Sequence, residues 1–156
     1  METFKNINTF ILGLLISMGI GLILGLEREY DKLKEEQGFA GIRTFPIVAI
    51  IGFILGSLSL TYTPWLVIIV AAAFLLFLSL SHLSIAQKHV MTGITTNMAL
   101  FVTLILGIMV ANHLHKEAVA TAVVVVTLLS LKTTFNTFIK NITSEELFAF
   151  IKFSII

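Results

Sequence analysis

Cysteine is absent from this chain of 156 residues, which excludes disulfides, thiolate catalysis and Cys-based metal sites. Charge is scarce: 12% of the residues are Asp, Glu, Lys or Arg, against about 25% in a typical soluble domain. The formal net charge of +1 supplies no basic field, so no nucleic-acid partner is expected. No HExxH, GxSxG, P-loop or dinucleotide fingerprint occurs. No nucleophile–base pair stands out either, so an enzyme is not expected. The two prolines, Pro46 and Pro64, fall at the edges of apolar runs.

Apolar surface is what the chain has in excess. It is 57% hydrophobic, with a mean hydropathy of +1.02. Long apolar runs with so little charge point to a lipid bilayer. The expected fold is an all-α, polytopic transmembrane bundle of about five spans plus a C-terminal helix. The spans are read as Ile7–Leu26, Ile42–Leu60, Trp65–Ser81, Asn97–Asn112 and Ala118–Leu131; the fourth is short enough to call for thinning, burial in protein or an extension back to Ile94, and the fifth extends as far as Phe135 in a longer reading. A run of about 20 residues covers the roughly 30 Å hydrocarbon core. The valines of the fifth run would suit a strand in water, but a single open strand cannot span lipid. Tyr62, Pro64 and Trp65 form a short turn whose aromatics suit the interface.

Three runs carry small residues four apart: Gly13, Ser17, Gly21 and Gly25; Gly52 and Gly56; Ala99, Thr103, Gly107 and Ala111. This spacing places small side chains on one stripe, where another helix backbone can approach. The stripes are therefore candidate packing surfaces, for a second copy or for another membrane protein.

Charged residues collect in the connectors. Eight cations (Arg28, Lys32, Lys34, Arg43, Lys88, Lys132, Lys140 and Lys152) fall on one face of a five-span arrangement, and Lys5 and Lys116 on the other. The positive-inside rule then puts the N-terminus outside and the C-terminal tail inside. Asp31, Lys32, Lys34, Glu35 and Glu36 alternate in sign and read as a solvated loop or short helix.

Glu27 and Arg43 flank the first connector, at the end of one run and the start of the next. Each has the wrong sign for its own helix terminus, and in an antiparallel hairpin each offsets the other's misfit. A Glu27–Arg43 pair is therefore expected at the inner boundary, with Arg28 complementing its own helix end. The competing reading makes all three ordinary interfacial flanks that snorkel into water. A second polar candidate is Gly93-Ile-Thr-Thr-Asn97, where Thr95, Thr96 or Asn97 can cap the fourth helix. Lys88 precedes it and reads as a positive-inside residue. His113 and His115 lie two apart beside Glu117, a thin basis for a metal site; His82 and His89 are weaker still. The predicted spans hold no charge at mid-depth, so a central relay is not expected.

Gly21-Leu-Ile-Leu-Gly25-Leu-Glu27-Arg28, followed by Ala40-Gly41-Ile42-Arg43-Thr44, resembles the MgtC/SapB family of bacterial inner-membrane proteins. Gly93-Ile94-Thr95-Thr96 with Ala99 is a second, weaker match. The resemblance covers about residues 7–135. It is closest to the branch in which an MgtC-like membrane domain, here residues 1–142, precedes a further membrane domain. Thr143-Ser-Glu-Glu146 matches a capping box and would open that second unit at 143–156. The run stops at Ile156 without a stop signal, and a fragment of a longer protein is expected.

The resemblance implies a link to growth in low magnesium and to virulence. It also implies regulation by binding other membrane proteins, ATP synthase among them, and no agreed catalytic reaction. Glu27, Arg28, Arg43, Thr44, Gly93 and Thr95 would inherit any shared role. No resident cofactor is expected; Mg²⁺ enters as a candidate substrate or ligand of a polar site made by Glu27, Arg28, Arg43, Thr44, Lys88, Gly93, Thr95 and Asn97. The bilayer, a second copy or another membrane protein are the expected partners. The reading is ion-linked transport or homeostasis at the inner membrane; the alternative is a regulatory or assembly module acting through the small-residue stripes.

Overall fold

A computed structural model describes residues 2–35, 40–86, 94–141 and 152–153. Among the described residues five helices follow in order: α1 Glu2–Glu35, α2 Thr44–Thr61, α3 Trp65–Ala86, α4 Ile94–Ala111 and α5 His115–Asn141. Among the described residues there is no strand, including in the valine-rich run of α5.

α2 and α4 form the most extensive helix pair. They run parallel: Gly52 meets Leu104 and Gly107, and Gly56 meets Ile108 and Ala111. A Cβ built on Gly52 would fall on the Leu104 carbonyl oxygen, and one on Gly107 would fall on that of Ala49. Backbone therefore lies on backbone, which residues without a side chain permit. α1 packs antiparallel on α2. Gly13 sits against the Phe53 ring, Gly21 against the backbone of Phe45 and Pro46, and Gly25 against Ile42. Thr103, fully buried, donates its hydroxyl to the Ala99 carbonyl 2.7 Å away, so its polarity is satisfied within α4. The small stripes of α2 and α4 thus face each other inside the chain, and the stripe of α1 packs on α2.

Two helices are long and apolar enough to cross a membrane by length and composition, over Ile7–Asp31 and Thr44–Thr61. Only 33% and 44% of those windows are buried, which is little for core helices of a water-soluble protein. Trp65–Ser81 and Thr95–Ala111 are shorter apolar helices. α3 lies against α2 and α4 and exposes Trp65, Ile68, Ile69, Leu76, Phe77 and Leu80.

Several sequence-based boundaries need correction. α1 does not stop at Leu26 but continues to Glu35. Residues 27–35 contain neither Gly nor Pro, and Glu, Arg, Lys and Leu are good helix formers. The change from apolar to charged marked a change of surroundings, not the end of the helix. α4 begins at Ile94, the extension that the short fourth run called for; Thr95, Thr96 and Asn97 therefore occupy its first turn and do not precede it as caps. α5 begins at His115, so Lys116 and Glu117 belong to a helix and not to a turn. Lys88, Gly93 and the proposed junction at Thr143–Glu146 lie outside the described residues.

Candidate functional site

The buried face of α1 runs through Gly13, Ser17, Ile20, Leu24, Arg28 and Asp31, at steps of three and four. That is one stripe of a 3.6-residue helix. Its last two members are charged, so the face that packs the bundle also carries ionic groups inward. Arg28 is 5% exposed and Asp31 8%.

The Arg28 guanidinium holds two carboxylates. Its Nε donates to Glu27 Oε2 at 2.5 Å and its Nη2 to Glu27 Oε1 at 2.8 Å. The same Nη2 donates to Asp31 Oδ2 at 2.8 Å. The planar guanidinium fork makes the two-point grip on Glu27 possible. Neighbours i and i+1 do not face each other on a helix, so both long chains bend toward the inner face to meet. The Glu27 side chain is only 8% exposed. The cluster carries two negative charges against one positive and retains a formal charge of −1.

The expected Glu27–Arg43 pair does not form. Glu27 lies about two turns inside α1, where the terminal dipole no longer acts on it. Its carboxylate is taken by Arg28. Arg28 for the same reason serves the cluster and not a helix end. Arg43 is exposed at the N-cap of α2, with no side-chain cap bond and no salt bridge among the described residues. Thr44 opens α2 and sends its N–H to the Gly41 carbonyl at 3.0 Å.

The link between α1 and the start of α2 comes from a residue the sequence reading passed over. Glu29 Oε2 accepts the Ile42 N–H at 3.4 Å and lies where a Cβ on Gly41 would be. Asp31 was also misplaced, among the solvated charges of the connector. The signal for it was present, since Asp31 is three residues beyond Arg28 on the packed stripe.

Thr95 is exposed and Asn97 half-buried in the first turn of α4. Short links alternate the direction of successive helices, so this turn lies at the same end of the bundle as Arg43 and the Arg28 cluster. Among the described residues no three His, Cys, Asp or Glu side chains group to hold a metal ion. What the cluster can do is narrower: it presents two carboxylates on one helix face, shielded from bulk water and joined by the Arg28 guanidinium.

A family model described as the MgtC family matches residues 14–138. No curated protein and no solved structure matches the chain.

Proposed function

The chain belongs to the MgtC family, and on that premise we propose that it is a five-span inner-membrane protein that handles Mg²⁺ as cargo at the Glu27–Arg28–Asp31 cluster. The family is membrane-associated, is generally linked to Mg²⁺ transport or homeostasis, and is not known as an enzyme family. The observation that carries the proposal is a single buried arginine shared by two carboxylates.

Mg²⁺ sheds water reluctantly and is usually held by one or two carboxylates with several waters retained. Glu27 and Asp31 supply that number of ligands. Arg28 keeps both carboxylates compensated when no ion is there, since unpaired charges are costly to bury. A dication entering must take the carboxylates from the guanidinium, so the arginine sets a threshold against weakly bound ions. Arg43, exposed at the same end, and Thr95 and Asn97 would line the approach.

The test is Mg²⁺ flux in proteoliposomes. Glu27→Gln with Asp31→Asn is expected to lower flux by about tenfold or more, a loss of at least about 1.4 kcal/mol of ion stabilisation. Flux unchanged in that double variant would remove the proposal.

Five crossings with the N-terminus outside are part of the same reading. Apolar side chains exposed on α3 and α5 suit a lipid solvent, and the cations crowd one end. The absence of native cysteine makes the topology easy to check. In intact cells a membrane-impermeant maleimide is expected to label Lys116→Cys. Lys34→Cys should react only after permeabilisation. The reverse pattern would invert the topology and move the cluster to the outer face.

A further inference from the structure

Taking Mg²⁺ handling at the Glu27–Arg28–Asp31 cluster as given, we propose that Glu29, seated on Gly41, is a positioning residue that fixes the entry of α2 beside that cluster. The residues of α1 that meet α2 fall at multiples of four: Gly13, Gly21, Gly25 and then Glu29. The first three are gaps, filled from α2 and its entry by Phe53, by the backbone of Phe45 and Pro46, and by Ile42. At Glu29 the relation inverts. The long side chain now stands on α1, and the gap is Gly41, just ahead of α2.

Gly41 is held from two sides. Its carbonyl accepts the Thr44 N–H at 3.0 Å and the Phe45 N–H at 3.4 Å, which closes the turn that opens α2. Where its side chain would stand lies Glu29 Oε2, which also accepts the Ile42 N–H at 3.4 Å. Arg43, the N-cap of α2, makes no side-chain cap bond. The entry to α2 therefore takes its carboxylate from α1 and not from its own cap residue. The bond is long for an N–H···O contact, so little stability rests on it. What it adds is direction. The glycine contacts set how near the two helices come; a carboxylate on an N–H fixes where along each other they lie.

That register bears on the cluster. Glu29 lies between Arg28 and Asp31 in the chain, and residues 27–31 of a helix rise by only about 6 Å. The turn that Glu29 holds is thus level with the cluster, and Arg43 and Thr44 follow it directly. Glu29 touches no ion in this scheme and acts through the turn. Gly41 offers a clean way to test it. Its backbone is not left-handed, so the chain itself allows alanine there. The added methyl would meet only the Glu29 carboxylate, the free end of a flexible side chain. Gly41→Ala therefore evicts the carboxylate from its seat, keeps its charge in the molecule and leaves the core alone.

Three variants of the full chain separate position from charge and from folding. Gly41→Ala and Glu29→Ala both empty the seat, whereas Glu29→Gln keeps an oxygen that accepts the Ile42 N–H. Hydrogen exchange of the Ile42 amide, read by NMR without Mg²⁺, is expected to quicken about threefold in the first two and to stay native in the third. In proteoliposomes the half-saturating Mg²⁺ concentration should rise roughly threefold in the same two, with saturated flux and the denaturant midpoint near native, and Glu29→Gln should again match the native chain. Combining Gly41→Ala with Glu29→Ala should be no worse than either alone, since both remove one contact. Native exchange rates in Gly41→Ala and Glu29→Ala would overturn the seat. Faster exchange with an unshifted half-saturation would overturn the positioning role, as would a Glu29→Gln chain as impaired as Glu29→Ala. A native chain that carries no Mg²⁺ would sink the transport reading and the positioning role together, while the amide would still report on the seat.

Discussion

Gly52→Ala and Gly107→Ala are each expected to destabilise the bundle by about 3 kcal/mol, near the upper end of overpacking costs. The added methyl at Gly52 would fall on the Leu104 carbonyl oxygen and 3.2 Å from the Gly107 Cα. At Gly107 it would fall on the Ala49 carbonyl oxygen, 2.8 Å from the Phe53 nitrogen and 3.0 Å from the Gly52 Cα. Every one of these neighbours is backbone. No side chain can rotate to make room, so α2 and α4 must separate. Separation loosens the packing around Leu104 and Val110, both fully buried on α4. Gly19 is the matched control. A Cβ there meets nothing within 4 Å, so Gly19→Ala should stabilise α1 by about 0.5–1 kcal/mol through helix propensity. The Gly52 and Gly107 changes are relieved by the same movement, and the double variant should cost less than the two singles together. Denaturant titration in micelles reads all four. If Gly52→Ala unfolds at the same midpoint as Gly19→Ala, the parallel backbone contact of α2 with α4 is wrong.

That these helices would present a face for close approach was legible in the sequence, because small residues four apart fall on one stripe. The sequence showed which helices would approach closely; it did not show that the stripes would satisfy one another. Pairing Gly52 with Gly107 joins residues more than fifty positions apart, and a periodic pattern within one helix contains nothing about its partner. The apolar runs gave the five helices in order, because hydropathy reports burial in lipid or core. They misplaced the end of α1, because helix propensity and hydropathy diverge after Leu26. The same divergence sank the Glu27–Arg43 pair: with the helix continuing, the nearest cation to Glu27 is one residue away. Asp31 was hidden by the alternating charges around it, which read as solvated until the packed stripe is followed one step further. A cavity that Phe10, Ser57, Thr61 and His115 help to line was not legible at all. Phe10, Ser57, Thr61 and His115 come from three helices, and no local spacing brings them together.

The charged cluster yields the sharper test, because its structural and its ionic roles predict opposite outcomes in one pair of variants. Arg28→Met is expected to destabilise the chain by about 3–5 kcal/mol, the usual penalty for removing one partner of a buried ion pair. The loss comes chiefly from Glu27 and Asp31, left buried without a countercharge, rather than from the bonds broken. Neutralising them should therefore restore stability. The triple variant Glu27→Met, Arg28→Met, Asp31→Leu is expected to return to within about 1 kcal/mol of the native chain, since apolar replacements of similar volume for buried ionic groups are often neutral. Arg43→Met, by contrast, should change stability by no more than about 0.5 kcal/mol, because Arg43 is exposed and makes no salt bridge among the described residues. If the cluster only holds the fold, the restored triple variant should also carry Mg²⁺ normally. If the carboxylates hold the ion, the triple variant folds and the flux is lost. Recovery of stability without recovery of flux separates the two roles, and an Arg28→Met chain as stable as the native one would show that these charges are not shut away from water.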